Sequence, residues 1–139
     1  MVKLVIDTNV LVAALRSKQG ASYLLLSLLG RGYYELYLSV PLALEYEEVL
    51  KRLAPDLGWT RDDMDDFLRI LFAAARKQDI HFLTRPKLPD PKDEKVLEVA
   101  VNAGCEYIVT YNKRDFAGAD TYGVQVVDAK TFLETIGVL

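Results

Sequence analysis

Short runs of β-branched, aromatic and other apolar residues alternate with helical patterns along the whole chain. Five such runs are separated by longer stretches in which apolar residues recur every three or four positions. Strands covered on both faces by helices have this character, because neither face needs polar side chains. The alternation predicts an α/β protein with a parallel sheet, built as one domain over residues 1–139 without internal repeats or linkers. The predicted strands are Lys3–Asp7, Tyr34–Ser39, Ile80–Leu83, Tyr107–Thr110 and Val124–Val127.

The predicted helices lie between these strands. Amphipathic spacing is clearest from Met64 to Ala75, where aspartates near the start suit the positive end of the helix dipole and are interpreted as solvated charges. The stretch Tyr23–Leu29 is apolar nearly all round, so it is covered either by its own fold or by another chain. Prolines make Arg85–Pro91 a loop. The other predicted helices are Val10–Ala14, Leu42–Leu53, one that begins at Asp90, and Ala129–Ile136.

Composition limits the chemistry that this chain can perform. Cys105 and His81 are its only cysteine and histidine, so the sequence argues against an internal disulfide, a zinc site with soft ligands and a Ser-His-Asp triad. No apolar run reaches the roughly 18 residues of a membrane span, and the N-terminus lacks a signal-peptide pattern, so we expect a cytoplasmic protein. The net charge of −3 gives no global basic surface. Nucleic-acid binding would therefore need a local basic patch or metal ions.

Polar side chains follow the predicted strands, and ligands of parallel α/β sheets bind beyond the carboxyl ends of strands. Asp7 ends the first strand, and an apolar strand offers its carboxylate no partner, which favours a functional role. Asn9 either caps the next helix or belongs to a site. After the fourth strand, Asn112 and Asp115 form either a cap and its partner or part of a site around Asp7. Asp128 is interpreted as the cap of the last helix.

Two further candidate acids come from the starts of predicted helices. Glu45 lies at the margin of its helix's apolar stripe, where it serves either a site or the helix dipole, whereas Glu47 and Glu48 are expected to face solvent. Asp90 is predicted to cap its helix. Asp93 shares a face with the buried positions of the same helix, so it either faces a site or completes a capping box.

Three or four carboxylates brought together require a cation. At a separation of about 5 Å, each ionised pair costs roughly 3 kcal/mol at an effective dielectric constant near 20. Carboxylates without histidine or thiolate ligands select Mg²⁺ or Mn²⁺, and such a centre suits phosphodiester hydrolysis. Basic side chains near the expected mouth would contact phosphates, although each alone is as well explained as a solvated surface charge. These are Arg85, Lys87, Lys92, Lys113 and Arg114.

Four segments, in their order and spacing, resemble the PIN-domain family, and within it the VapC-like toxin components of bacterial and archaeal toxin–antitoxin systems. The segments are Asp7-Thr8-Asn9-Val10, Leu44-Glu45-Tyr46, Asp90-Pro91-Lys92-Asp93 and Thr110-Tyr111-Asn112-Lys113-Arg114-Asp115-Phe116. The resemblance runs nearly end to end. It implies a three-layer α/β/α sandwich with a central parallel sheet of about five short strands. It also implies an endoribonuclease that depends on Mg²⁺ or Mn²⁺ and has Asp7, Glu45 and Asp93 as its acidic triad.

The fourth acid departs from the family pattern. Many members have an aspartate two residues after the threonine, where this chain has Asn112, so either Asp115 replaces it or three acids and an amide complete the site. Thr8, Asn9 and Thr110 would orient the ligands. The resemblance also implies an RNA substrate, a small antitoxin partner and a homodimer, in which the apolar second helix would be covered.

Two other functions are compatible with the sequence. A catalytically silent RNA- or protein-binding module is suggested by Asn112 standing where an acid is common and by the negative net charge. A phosphatase or phospho-acceptor would use Asp7 as nucleophile, but that class usually has a second acid two residues on, where this chain has Asn9. Metal binding distinguishes the silent module from the nuclease, and covalent labelling of Asp7 by a phosphoryl donor would indicate the third function.

Overall fold

Five parallel strands form the central sheet in the computed structural model, which describes residues 1–139. They are β1 (Lys3–Ile6), β2 (Glu35–Leu38), β3 (Arg76–Lys77), β4 (Tyr107–Val109) and β5 (Gln125–Val127). Their order in the sheet is β3-β2-β1-β4-β5, with Leu4 opposite Leu36 on one side and Ile6 opposite Val109 on the other. Four of the five strands lie in the predicted segments, so the predicted parallel sheet is confirmed.

The prediction of a strand at Ile80–Leu83 is wrong. The third strand is β3, which pairs with Tyr37 and Leu38 of β2. The segment after it has no strand partner, because the Asn102 side chain satisfies its backbone: Oδ1 accepts from the N–H groups of residues 81 and 82 (both 2.9 Å), and Nδ2 donates to the carbonyl of residue 82 (2.8 Å). The sequence pattern there is apolar, but its side chains at 82 and 83 are exposed.

Six α-helices cover the sheet and complete the three-layer α/β/α sandwich. Helix α2 contacts both α1 and α6. Helix α5 packs on β1, β2 and β4. Helix α3 contacts both α5 and α4. The helices are α1 (Thr8–Arg16), α2 (Ala21–Ser27), α3 (Val40–Leu53), α4 (Arg61–Ala74), α5 (Glu94–Ala103) and α6 (Ala129–Thr135). The largest fully buried side chains of the core are Tyr46, Phe116 and Phe132.

The apolar second helix is covered in part by its own fold. Ser22 and Leu25 are buried against the neighbouring helices, while Leu24 and Leu26 are half-buried and Tyr23 is exposed. No helix of the structure is long and apolar enough to span a membrane. The aspartates at the start of α4 are exposed, and Asp63 forms a capping box with Thr60, as expected for helix-start charges.

The site is positioned by the strand order. The chain runs from β1 outward to β2 and β3, then returns to the other side of β1 as β4. The connections therefore leave in opposite directions from β1 and β4, and a crevice opens beyond the carboxyl ends of these two strands. The residues that follow them are Asp7 and Thr110.

Candidate functional site

Asp7 lies at the tip of β1, as predicted, and is 7% exposed. Its backbone N–H donates to the carbonyl of Val109 (2.9 Å), which extends the pairing of β1 with β4 by one residue. The Asp7 carboxylate accepts 2.8 Å hydrogen bonds from the Thr110 hydroxyl at Oδ2 and from the Thr8 backbone N–H at Oδ1. The sheet and the start of α1 therefore fix the orientation of this buried acid.

The pKa of Asp7 is raised above its ordinary value. Burial is the main cause, and the negative charges of Glu45 and Asp115 raise the pKa further, while the hydrogen bonds from Thr110 and Thr8 lower it. Two acids distant in sequence are therefore near enough to act electrostatically on Asp7.

Asn9 contacts the site rather than capping α1, so the capping interpretation is wrong. The helix begins at Thr8 with Asp7 as its cap residue, because the Asp7 carboxylate reaches the first free N–H group. The Asn9 amide donates to Asp7 Oδ2 (3.3 Å) and to Thr110 Oγ1 (3.4 Å), and its oxygen accepts from the backbone N–H of Tyr111 (3.3 Å). Asn9 thereby links the two strand ends.

Glu45 is half-buried on α3, and both of its carboxylate oxygens have partners. Oε1 lies 3.0 Å from the ammonium of Lys95, and Oε2 accepts from the Thr8 hydroxyl. Glu48 is exposed as predicted, whereas Glu47 is half-buried and forms an ion pair with Lys51 at 2.9 Å. Burial of one α3 face thus brings Glu45 to the same edge of the sheet as Thr8.

Asp93 ends a 3-10 turn, Pro91–Asp93, that leads into α5. Asp90 caps the turn as predicted, since its carboxylate accepts from the backbone N–H of Lys92 (2.9 Å). The Asp93 carboxylate makes no hydrogen bond to the Asp90 backbone, so the capping-box interpretation of Asp93 is wrong. Burial raises the pKa of Asp93 to about 6, with further contributions from the charges of Asp7, Asp115, Asp90 and Glu45.

The loop after β4 contributes Asp115 to this electrostatic group. Asp115 is half-buried, and its charge raises the pKa of both Asp7 and Asp93. Asn112 is exposed and precedes a 3-10 turn without a side-chain cap, so the interpretation of Asn112 as a cap is wrong. Its backbone N–H donates to the Thr110 hydroxyl oxygen (3.1 Å).

The basic side chains near the crevice differ in their availability. Lys113 and Arg114 are exposed, form no ion pair, and line an open cavity of about 590 Å³ together with Tyr111, Asn112 and Asp115. Arg85, in contrast, is held by Glu98 at 2.6 Å. Asp128 caps α6 as predicted, because its carboxylate accepts from the Thr131 backbone N–H (2.7 Å).

The four acids fit a hard divalent ion by their chemistry. Asp7, Glu45, Asp93 and Asp115 offer only carboxylate oxygens, the ligands that Mg²⁺ and Mn²⁺ prefer. In the present side-chain arrangement no group of three such residues is arranged to hold a metal ion. The acids are coupled through their charges, but Glu45 is occupied by an ammonium group.

Several residues around the site were not predicted from sequence. Lys95 pairs with a residue fifty positions away, and no local pattern indicates such a contact. Glu94 and Glu98 are 1% and 2% exposed and hold the segment before α5 by accepting hydrogen bonds from Thr84 and Arg85, among others. Their spacing of four, continued by Asn102, places three polar side chains on one helix face, and that pattern is visible in the sequence.

The family model of the PIN domain matches residues 3–114, which is most of the chain. The matched range includes the carboxyl ends of β1, β2, β3 and β4, but not that of β5. The chain belongs to the PIN domain family. The predicted resemblance is thus confirmed for the family.

The fold of this PIN domain is similar to that of a known structure. It matches a chain in the crystal structure of VapBC2 from Rickettsia felis bound to a DNA fragment from their promoter, with a TM-score of 0.61. The match covers 89% of this chain and 96% of that chain at 14% sequence identity. At this identity the likeness shows the fold. No curated protein has a sequence that matches this PIN domain significantly.

Proposed function

We propose that this PIN domain is an endoribonuclease that hydrolyses RNA phosphodiester bonds with Mg²⁺ or Mn²⁺ and serves as the toxin component of a toxin–antitoxin pair. The proposal is carried by the electrostatic effect of the neighbouring acids, which raise the pKa of Asp7 and Asp93. The pKa of Asp93 is raised to about 6 by burial and by the charges of Asp7, Asp115, Asp90 and Glu45. Such crowding at a crevice is costly for a purely structural surface and useful for a cation site.

Asp7, Glu45, Asp93 and Asp115 are the residues proposed to hold the ion. When bound, a divalent ion would neutralise phosphate charge and lower the pKa of a coordinated water. Thr110, Thr8 and Asn9 fix the direction of the Asp7 oxygens by hydrogen bonds. Charges held in place before substrate arrives need no reorganisation during the reaction.

Lys113 and Arg114 are proposed to hold the RNA backbone. Both are exposed, neither is neutralised by an ion pair, and both belong to the loop that also carries Asp115. Phosphates bound there would therefore lie beside the acidic residues. Contacts of this kind position the substrate without reading its sequence.

The partner proposal rests on the structural likeness to VapBC2 and on the resemblance to VapC-like toxins. We propose a small antitoxin protein as partner, a homodimer as the assembly and the cytoplasm as the location. The half-buried leucines of α2 are proposed to contribute to one of these interfaces.

A catalytically silent binding module is the second candidate. It is favoured by the absence of a ready group of three metal-ligating side chains and by Asn112. Such a module would bind RNA equally well with and without divalent ions.

Cleavage of a labelled single-stranded RNA tests the proposed function. We expect cleavage with Mg²⁺ or Mn²⁺, none with EDTA, and a loss of at least about a hundredfold for Asp7→Asn and Asp93→Asn, since each removes a proposed ligand. Asp62→Asn, which alters an exposed acid of α4, serves as the matched control and should cleave normally. Cleavage that is indifferent to EDTA and to both active-site variants would reject the proposal.

A further inference from the structure

Lys95 is the least exposed of the lysines and arginines that form ion pairs. Its side chain is 28% exposed and that of its partner Glu45 is 23% exposed, whereas the ion-paired cations elsewhere are 38% exposed or more. The 3.0 Å contact joins α5 to α3 directly beside the candidate site. A partly buried pair of this kind is screened less by salt than a fully exposed pair.

The same contact occupies one oxygen of the only glutamate among the proposed metal ligands. Glu45 Oε1 is taken by the ammonium of Lys95, and Oε2 accepts from the Thr8 hydroxyl. Each carboxylate oxygen has two lone pairs, so a divalent ion at Glu45 would lie close to these partners unless it replaced one of them. The ammonium is the one that carries positive charge and therefore opposes the ion.

The surroundings of Lys95 give its ammonium a place to move. Lys95 also lines a cavity of about 180 Å³, together with Ser39, Pro41, Arg85 and Glu98. The hydroxyl of Ser39 provides polar surroundings there, together with the carboxylate of Glu98, which is paired with Arg85. The lysine side chain has a flexible four-carbon stem, so a change of rotamer moves its charge without moving α5.

We propose that Lys95 is a positioning residue that occupies Glu45 in the metal-free protein and competes with the divalent ion for this carboxylate. The inference rests on the proposed function, because it concerns the ion of the same site. Lys95 partly neutralises Glu45 when the ion is absent and lowers the affinity for the ion by the free energy of its ion pair with this carboxylate. The concentration of Mg²⁺ or Mn²⁺ at which the site fills is thus set by a residue that does not bind the ion.

Titration calorimetry with Mn²⁺ alone, without RNA, tests this inference. Lys95→Met and Lys95→Gln remove the charge, and we expect both to bind Mn²⁺ about five- to tenfold more tightly than the unaltered chain. Lys95→Arg keeps the charge and should restore the weaker binding. Thermal unfolding without metal verifies that each variant is folded. If Lys95→Met is not folded, the Mn²⁺ affinity of Lys95→Gln is used instead.

Two control variants separate this effect from simpler ones. Lys51→Met breaks the 2.9 Å ion pair with Glu47 on α3, and Lys92→Met removes an exposed, unpaired charge next to Asp93. Both should leave the Mn²⁺ affinity within about twofold, because neither frees Glu45.

The outcomes distinguish this inference from the proposed function. If the unaltered chain binds Mn²⁺ and loss of Lys95 leaves the affinity unchanged or weaker, the inference is wrong and the proposed function stands. If Lys92→Met tightens binding as much as Lys95→Met, the effect is one of net charge and the inference is wrong. If no variant binds Mn²⁺, both are wrong.

Discussion

The Thr110 hydroxyl donates a 2.8 Å hydrogen bond to Asp7 Oδ2, joining residues that are 103 positions apart in the chain. The contact exists because β1 and β4 are adjacent and in register, with Ile6 opposite Val109, so that the residues after them emerge side by side. Asp7 is thereby fixed at the crevice where the strand order reverses. The rest of the candidate site is arranged around this pair.

Replacement of Thr110 by valine is expected to destabilise the protein. The variant keeps the shape of the side chain but leaves Asp7 Oδ2 with only the longer 3.3 Å hydrogen bond from Asn9, which costs about 1–3 kcal/mol. Chemical denaturation in EDTA at pH 7.5 measures the difference. Thr121→Val, at an exposed position, is the control and should change the free energy of unfolding by less than about 0.5 kcal/mol. Equal stability of both variants would mean that the hydrogen bond is energetically unimportant.

Asp93→Asn is expected to stabilise the metal-free protein at neutral pH. Burial and the neighbouring acids raise the Asp93 pKa from 3.8 to about 6, so the folded state binds this proton more tightly than the unfolded state. The wild-type protein therefore loses stability as the pH rises from about 4 to above 6, and the asparagine variant does not. Because Asp93 is partly exposed, we expect a gain of about 1 kcal/mol at pH 7.5, smaller than the full shift would give.

Unfolding curves in EDTA between pH 4 and pH 8 test this expectation. The advantage of Asp93→Asn should disappear toward pH 4, where both side chains are neutral. Saturating Mg²⁺ should reverse the order at pH 7.5, because only the unaltered chain gains the full free energy of ion binding. An asparagine variant that is less stable than wild type throughout would show that Asp93 is not repelled by its neighbours.

Asp115, rather than Asn112, is expected to complete the acidic group. The charge of Asp115 acts on both Asp7 and Asp93, while the Asn112 side chain is exposed and makes no hydrogen bond. Asp115→Asn should weaken Mn²⁺ binding at least about tenfold, and Asn112→Ala should change it by less than about threefold. Calorimetry on both variants decides between them, and the opposite order would assign the fourth position to the amide.

Glu94→Gln is expected to cost about 2–3 kcal/mol, since the buried carboxylate accepts charge-assisted hydrogen bonds. Its donors are the Thr84 hydroxyl (2.7 Å) and the backbone N–H groups of Lys87 (2.7 Å) and Leu88 (2.6 Å). Burial alone would raise the Glu94 pKa, but these hydrogen bonds and the Arg85 charge lower it below 4.5. The stabilisation is therefore present above pH 4.5 and lost as the pH falls through the lowered pKa.

Denaturation of Glu94→Gln at pH 7 and at pH 3.5 measures this contribution. The difference from wild type should shrink at the lower pH. Glu134→Gln, an exposed change on α6, is the control and should be neutral. A Glu94→Gln variant as stable as wild type at pH 7 would show that the segment before α5 does not depend on this carboxylate.

The sequence was sufficient to predict features that depend on local patterns. Apolar runs predicted four of the strands, and the polar residues after β1 and β4 included Asn9 and Thr110, which contact Asp7. The segment Ile80–Leu83 was misassigned as a strand because a short apolar run has the same sequence pattern whether it forms a buried strand or an exposed loop. What decides its structure is Asn102, whose amide takes the backbone hydrogen bonds that a neighbouring strand would otherwise provide.

Features that depend on pairs distant in sequence could not be predicted. The role of Asn9 was open because capping and site contacts require the same residue type, and only the proximity of Thr110 decides between them. The ion pair of Lys95 with Glu45 is of the same kind, since it depends on how α5 packs against α3. Local chemistry predicts candidate groups, and tertiary packing determines their partners.

We propose that Asp7, Glu45, Asp93 and Asp115 share one divalent ion. A crystal soaked in Mn²⁺ and measured for anomalous scattering tests it most directly. We expect a strong anomalous peak between the carboxylates of Asp7 and Asp93, with oxygen ligands at about 2.1 Å. A map in which Mn²⁺ binds only at exposed acids elsewhere, with no peak between Asp7 and Asp93, would contradict it.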